Sequence, residues 1–255
     1  PSVLRWSYPG AMSPSEKNDL GRIYGQVILV NPVNPVNATV KIEKEVTEAE
    51  AVCSYTNSLN YGLNSNNILL GIDVGGSTTD IQIVAKNINQ PSLFRESSIR
   101  LAAGVFFNAI IKSDQFKEAL YSFHEGHKAK VYVANIQEMK NSKEKAPYYL
   151  NSIFDQLHTS VDYNAFYSSL YSNAKFVFTI PAYVTGLLLF YSGMLVGKTI
   201  KDKNLTEINT VDVNSFGKGG LLFQWLGCAT STSAMNDYYA ACLNAGAKAM
   251  GCADL

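Results

Sequence analysis

The run Gly71-Ile72-Asp73-Val74-Gly75-Gly76-Ser77-Thr78-Thr79-Asp80 brings a carboxylate, two adjacent glycines and three consecutive hydroxyls together at one bend. Groups of these types suit the binding of phosphate. Gly75 and Gly76 can take backbone angles closed to other residues, and without a Cβ they let main-chain N–H groups approach an anion. Ser77, Thr78 and Thr79 add short hydroxyl donors, and Asp73 can hold a hydrated Mg²⁺ or orient a water. The arrangement suits the β and γ phosphates of a nucleotide bridged by a metal. The same residues also fit a plain β-hairpin whose turn needs Gly-Gly for twist and whose hydroxyls satisfy backbone groups. An Asp at the strand end, paired glycines, three hydroxyls and the closing Asp80 weigh toward phosphate.

Two strands must position this bend. Ile68, Leu69, Leu70 and Ile72 form an apolar run before it, and Ile81, Ile83 and Val84 resume the pattern after it. Upstream, the pattern predicts a helix over 14–28 opened by Pro14-Ser15-Glu16-Lys17, then a turn-rich loop at 31–37 with paired Asn-Pro steps, then a strand over 38–46 with one wet face. Thr47 and Glu50 have the spacing of a capping box for the next helix, which also carries Glu48. Downstream, residues 97–107 read as a strand passing into a helix through Ala102, Ala103 and Gly104. Small residues there allow close backbone approach or tight strand-to-helix packing. Val211 to Ser215 read as a strand entering Gly217-Lys218-Gly219-Gly220, ahead of a helix-like apolar run; a helix start behind glycines favours a polar or anionic group. The Walker spacing is absent there.

Taken together, the motif Asp73 to Asp80 resembles the second phosphate loop of the actin, heat-shock-chaperone and sugar-kinase ATPase superfamily. Leu4 to Ala11 resembles its strand ending in a Pro-Gly turn, Val46 to Val52 its glutamate-bearing helix, and Val211 to Leu222 its adenosine loop. The resemblance implies an α/β fold of ribonuclease H-like actin type, with a mixed five-stranded sheet, flanking helices and an inserted helical subdomain at about 114–175. It implies that 1–67 ends a first domain and 68–255 forms most of a second, so that the chain is a fragment of a two-domain protein. The first phosphate loop finds no match here. ATP and Mg²⁺ are the implied cofactors. Asp73, Thr78 and Glu48 are the implied catalytic residues, with Asp73 holding Mg²⁺ through water. Gly75, Gly76, Ser77, Thr78, Thr79, Gly104, Gly217, Lys218, Gly219 and Gly220 are the implied nucleotide contacts. Glu50 competes with Glu48, since Ala49 and Glu50 stand where the chaperones have a proline start. A rival alignment makes residues 73–80 a first phosphate loop, as in sugar kinases and dehydratase activators. The implied function is an ATPase whose nucleotide state controls assembly or partner binding. Alternatives are a small-molecule kinase, an enzyme-reactivating ATPase or a non-catalytic binding module of the same fold.

Composition narrows the partners. Of 255 residues 47% are hydrophobic, enough for a sizeable core, and 21 Lys plus Arg balance 21 Asp plus Glu. A balanced chain has no field to draw nucleic acid or an anionic membrane, so neither is expected as a partner. Cys53, Cys228, Cys242 and Cys252 have no Cys-x-x-Cys spacing, which fits free thiols and a reducing cytoplasm. The apolar run 187–196 is too short to cross a bilayer and reads as a buried core helix. Residues 114–175 are polar, rich in Tyr, Lys and Asn, and hold all three histidines. His124 and His127 lack further clustered ligands, and no metal is expected there. This segment is the implied surface for self-assembly or a protein partner.

Overall fold

Runs of buried apolar residues in 68–74 and 81–85 build the main sheet of the described residues. The structure, a computed structural model, describes residues 2–4, 7–30, 40–42, 46–52, 67–87, 90–116, 118, 170–205, 208, 210–220, 222–223 and 232–252. Their elements are β1 (Ser2–Leu4), β2 (Ser7–Tyr8), α1 (Pro14–Val30), β3 (Val40–Ile42), β4 (Val46–Thr47), β5 (Asn67–Val74), β6 (Thr79–Asn87), β7 (Gln90–Ile99), α2 (Ala103–Lys112), α3 (Phe176–Lys203), β8 (Thr210–Phe216), a 3₁₀ turn (Lys218–Gly220) and α4 (Thr232–Ala249). Residues 48–52 are also helical.

The main sheet is mixed, in the order β7-β6-β5-β8, with β5–β6 and β6–β7 antiparallel and β5–β8 parallel. It has four strands among the described residues, where five were expected. β1–β3 and β2–β4 are separate parallel pairs. Because side chains alternate along a strand, one face carries Ile68, Leu70, Ile72, Val74, Ile81 and Ile83. All six are at most 1% exposed and share a core with Ile110 of α2 and Val177, Val184, Leu188 and Val196 of α3. The opposite face carries Asp73, Asp80 and Ser98 in one cross-strand row, and Gly71, Gln82 and Glu96 in the next. One face is thus a hydrophobic seat, and the other is polar at the end nearest the bend and apolar farther along, where Leu69 pairs with Val84.

α3 shows why the core helix is longer than the apolar run 187–196. It spans 28 residues, long and apolar enough by length and composition to cross a membrane, and much of it is buried inside the protein. Its small residues Gly193 and Gly197 meet Leu243 and Ala247 of α4 backbone to backbone. Polar ties join it to β7: Arg95 Nε donates to Thr199 Oγ1 at 2.9 Å, and the Ser97 and Tyr191 hydroxyls lie 2.9 Å apart. α1 begins with a Ser13/Glu16 capping box in which Ser13 N donates to Glu16 Oε2 at 2.7 Å. The Thr47/Glu50 box is present as expected, Thr47 N donating to Glu50 Oε2 and Glu50 N to Thr47 Oγ1, both at 3.0 Å. Most of the expected insertion at 114–175, with His124, His127 and His158, lies outside the described residues, as do Cys53 and Cys228.

Candidate functional site

The bend at Gly75 to Thr78 joins β5 to β6, whose register pairs Val74 with Thr79 and Asp73 with Asp80. Gly75 N donates to Thr78 O at 2.9 Å and closes the turn. That N–H, expected to meet phosphate, is therefore engaged inside the protein. Gly76 and Ser77, exposed at the tip, are the residues of the turn left facing outward. Neither Gly75 nor Gly76 has positive φ, so the turn does not use the left-handed freedom of glycine. What it uses is space. A Cβ on Gly75 would stand 3.0 Å from Thr78 O, and one on Gly76 would meet nothing within 4 Å, leaving that face open for approach.

Two other small-residue segments close on the same point. Ala103 N, in the first turn of α2, donates to Gly75 O at 3.1 Å, and a Cβ on Gly104 would stand 2.5 Å from Gly76 O. No side-chain cap closes this end of α2. Gly217, at the end of β8, has φ +70° and lies so near Asp73 that a Cβ would fall 2.2 Å from Asp73 Oδ1. A Cβ on Gly219 would fall 2.4 Å from Val74 O. Gly220 N donates to Gly217 O at 3.2 Å, which folds Lys218 into the same turn. The structure thus gathers Asp73, Gly75, Gly76, Gly104, Gly217 and Gly219 around the end of β5. Thr79 is apart from them: it is fully buried, with its hydroxyl donated to Leu101 O on the far face, where it pins β6 to the chain leading into α2.

The polar face adds charge. Asp80 is paired directly with Asp73 across the hairpin and is 6% exposed, and Thr78 Oγ1 donates to Asp80 Oδ2 at 3.3 Å. Glu48, in the first helical turn after Thr47, approaches this pair. Burial, the charges of Asp80 and Asp73 and a hydrogen bond with Asp80 push its carboxyl up to about 7. Burial first, and then the Asp80 charge, raise Asp73 as well. Burial and the neighbouring carboxylates thus disfavour the charged forms of Glu48 and Asp73 in a partly buried space beside Asp80. Among the described residues no group of three or more His, Cys, Asp or Glu is arranged to hold a metal ion directly.

No family pattern and no curated protein matches the chain. Among solved structures, one that resembles it is MreB 5 of Spiroplasma citri bound to AMPPNP. The likeness is 24% in identity over 43% of this chain, with a TM-score of 0.27. The chain spans 27% of that protein's length. So thin a likeness leaves function to be argued from the side chains themselves.

Three residues near the site stood out only in the folded chain. Asp80 reads in sequence as the closing residue of a motif, and pairing across the hairpin makes it the neighbour of both other acids. Arg100 lines a cavity of about 260 Å³ with Ser77, Thr78, Glu16, Pro9, Ala11 and Met12, and its guanidinium lies 3.7 Å from Glu16. Glu96, on β7, accepts the Thr47 hydroxyl at 2.7 Å. Position in a strand hints at none of these roles, since each partner comes from a different element. A separate cavity of about 560 Å³ between β8 and α4 is lined by none of the residues gathered at the bend.

Proposed function

We propose that the chain is part of an ATP-binding ATPase of the actin and heat-shock-chaperone type, in which the turn Gly75 to Thr78 receives the phosphate chain of ATP and Asp73 organises hydrated Mg²⁺. The observation that carries this reading is the meeting of three small-residue segments, 75–78, 103–104 and 217–220, at the carboxylate end of β5. Packing of a plain hairpin does not need that meeting. Gly104 and Gly219 are buried in these contacts, Gly76, Ser77 and Gly217 are exposed around them, and Arg100, paired with Glu16, lines the cavity beside Ser77 and Thr78. The donor set fits the metal: hard carboxylate oxygens suit Mg²⁺, which keeps several of its waters and needs few direct protein ligands.

In this reading Gly76 and Ser77 N–H groups and the Ser77 and Thr78 hydroxyls hold phosphate oxygens, while Gly217 to Gly220 lie against the nucleoside. Mg²⁺, when bound, neutralises phosphate charge. Asp73 orients water, and Glu48 takes a proton from the attacking water because a carboxyl that titrates near neutral pH is suited to that transfer. Phosphoryl transfer is catalysed mostly by such positioning and charge neutralisation. Coupling of nucleotide state to assembly or to a partner through 114–175 belongs to the same proposal.

Calorimetric titration of the full-length protein with MgATP tests it. Wild type should bind, and Asp73→Ala should weaken binding by about tenfold or more, the scale of one lost charge-assisted contact. A wild type that takes up no MgATP, or an Asp73→Ala variant that binds it equally well, would end the reading.

A further inference from the structure

We propose that Glu96 is a positioning residue for Glu48: by accepting the Thr47 hydroxyl it fixes the first turn of helical residues 48–52, and with it the Glu48 carboxyl, against Asp73 and Asp80. This deepens the ATPase reading and rests on it.

Among the described residues, the turn is held from outside by the hydrogen bond of Glu48 with Asp80 and by the Thr47 hydroxyl on Glu96. β4 is two residues long and pairs only with the equally short β2 among the described residues. A helix start of this length has no rigidity of its own, because the first turns of a helix are unfavourable without outside contacts. Ala49 is buried, yet it borders a cavity of about 130 Å³ shared with Gly10, Asp80, Glu96, Ser97 and Ser98. Packing around Ala49 is therefore incomplete, and directed bonds from Thr47 to Glu96 and between Glu48 and Asp80 locate the turn.

The Thr47 hydroxyl provides the first of them. Its oxygen accepts Glu50 N at 3.0 Å while its single proton goes to Glu96 Oε2 at 2.7 Å, so cap and tether use different parts of one group. An ionised acceptor makes this a short, charge-assisted bond. Glu96 also stands on the same face as Asp80, two residues along β7 from Ser98, the cross-strand partner of Asp80. One sheet face thereby sets both the carboxylates that Glu48 approaches and the point from which Glu48 is hung.

The test uses Glu96→Ala and Glu96→Gln in the full-length protein. Gln keeps a carbonyl oxygen for the Thr47 hydroxyl. In Glu96→Ala, ATP turnover should fall about tenfold while MgATP affinity stays within about twofold, the pattern of a misplaced catalytic group rather than a lost binding contact. Glu96→Gln should recover most of the turnover. Amide exchange at residues 48–50 should speed up in Glu96→Ala alone. Wild-type turnover in Glu96→Ala, or a Glu96→Gln variant as slow as the Ala form, would overturn the assignment. If the wild type hydrolyses no ATP, the ATPase reading falls by itself and amide exchange still decides the tether: unchanged exchange in Glu96→Ala refutes it.

Discussion

Glu48 is made an unusually weak acid by three sources at once, burial, Asp80 and Asp73, and each disfavours a negative charge. An acid whose folded value stands at about 7, against an ordinary 4.5, keeps a proton that the unfolded chain has already lost between those pH values. The folded state is therefore favoured most below pH 4.5 by this group, and that contribution disappears as pH rises through 7. In metal-free buffer the thermal midpoint should fall across this window. Glu48 is part-exposed, so solvent screening limits the effect to about 1 kcal/mol. Glu48→Gln should flatten the slope, leaving a contribution of the same sign from Asp73, whose carboxyl is also raised. A wild-type midpoint that rises from pH 5 to 7 would show that Glu48 is not raised by its surroundings. In sequence Glu48 and Glu50 compete for one role, and the structure separates them: Glu50 is bonded back to Thr47 as the capping partner, whereas Glu48 faces the aspartates. The capping spacing was legible because it is local; the approach of Glu48 to Asp80 joins residues more than thirty positions apart and leaves no local mark.

Among the elements, those with a strong period were readable in advance. The strands on either side of the bend alternate or run apolar, and α1 opens at Pro14 as its starting residues indicate. α3 runs well beyond the apolar run 187–196 that marks it in sequence, and Gly186, Gly193 and Gly197 along it lie against α4. A glycine that lets two helices touch cannot be told in sequence from one that ends a helix. The same contact yields a sharp expectation for Gly246 of α4, where a Cβ would fall 1.9 Å from Phe190 O, a backbone atom that cannot swing aside. Gly246→Ala should cost about 1–3 kcal/mol in urea unfolding, as over-packing of a tight contact does. Gly76→Ala, whose Cβ meets nothing within 4 Å, should leave stability nearly unchanged. Equal stability of the two variants would disprove the close crossing of α3 and α4.

For the molecule as a whole, one question is whether sheet and helical layer unfold together. Besides the shared apolar core, Arg95 joins them, bonding Thr199 and standing 2.5 Å from Asp202. Arg95→Met should lower stability by about 1 kcal/mol, the worth of a part-exposed polar tie, while urea unfolding keeps a single transition because the core still couples the layers. Two separate transitions would show that the polar tie, not the core, unites them. The site depends on this unity, since its parts come from β5, β6, the start of α2, the end of β8 and residues 48–52. Order along the chain disclosed the glycine bend, its flanking strands and a second glycine turn at 217–220, because hairpin and turn chemistry act over a few neighbouring residues. Folding decided the rest. It turned Thr79 into the core, engaged Gly75 N–H within the bend, set Gly217 against Asp73 and drew Glu48, Asp80 and Glu96 onto one polar face. Pairing between distant strands chooses which side chains share a face, and that choice is made by burial of the opposite, apolar face, a property of the assembled sheet that no short stretch of residues contains.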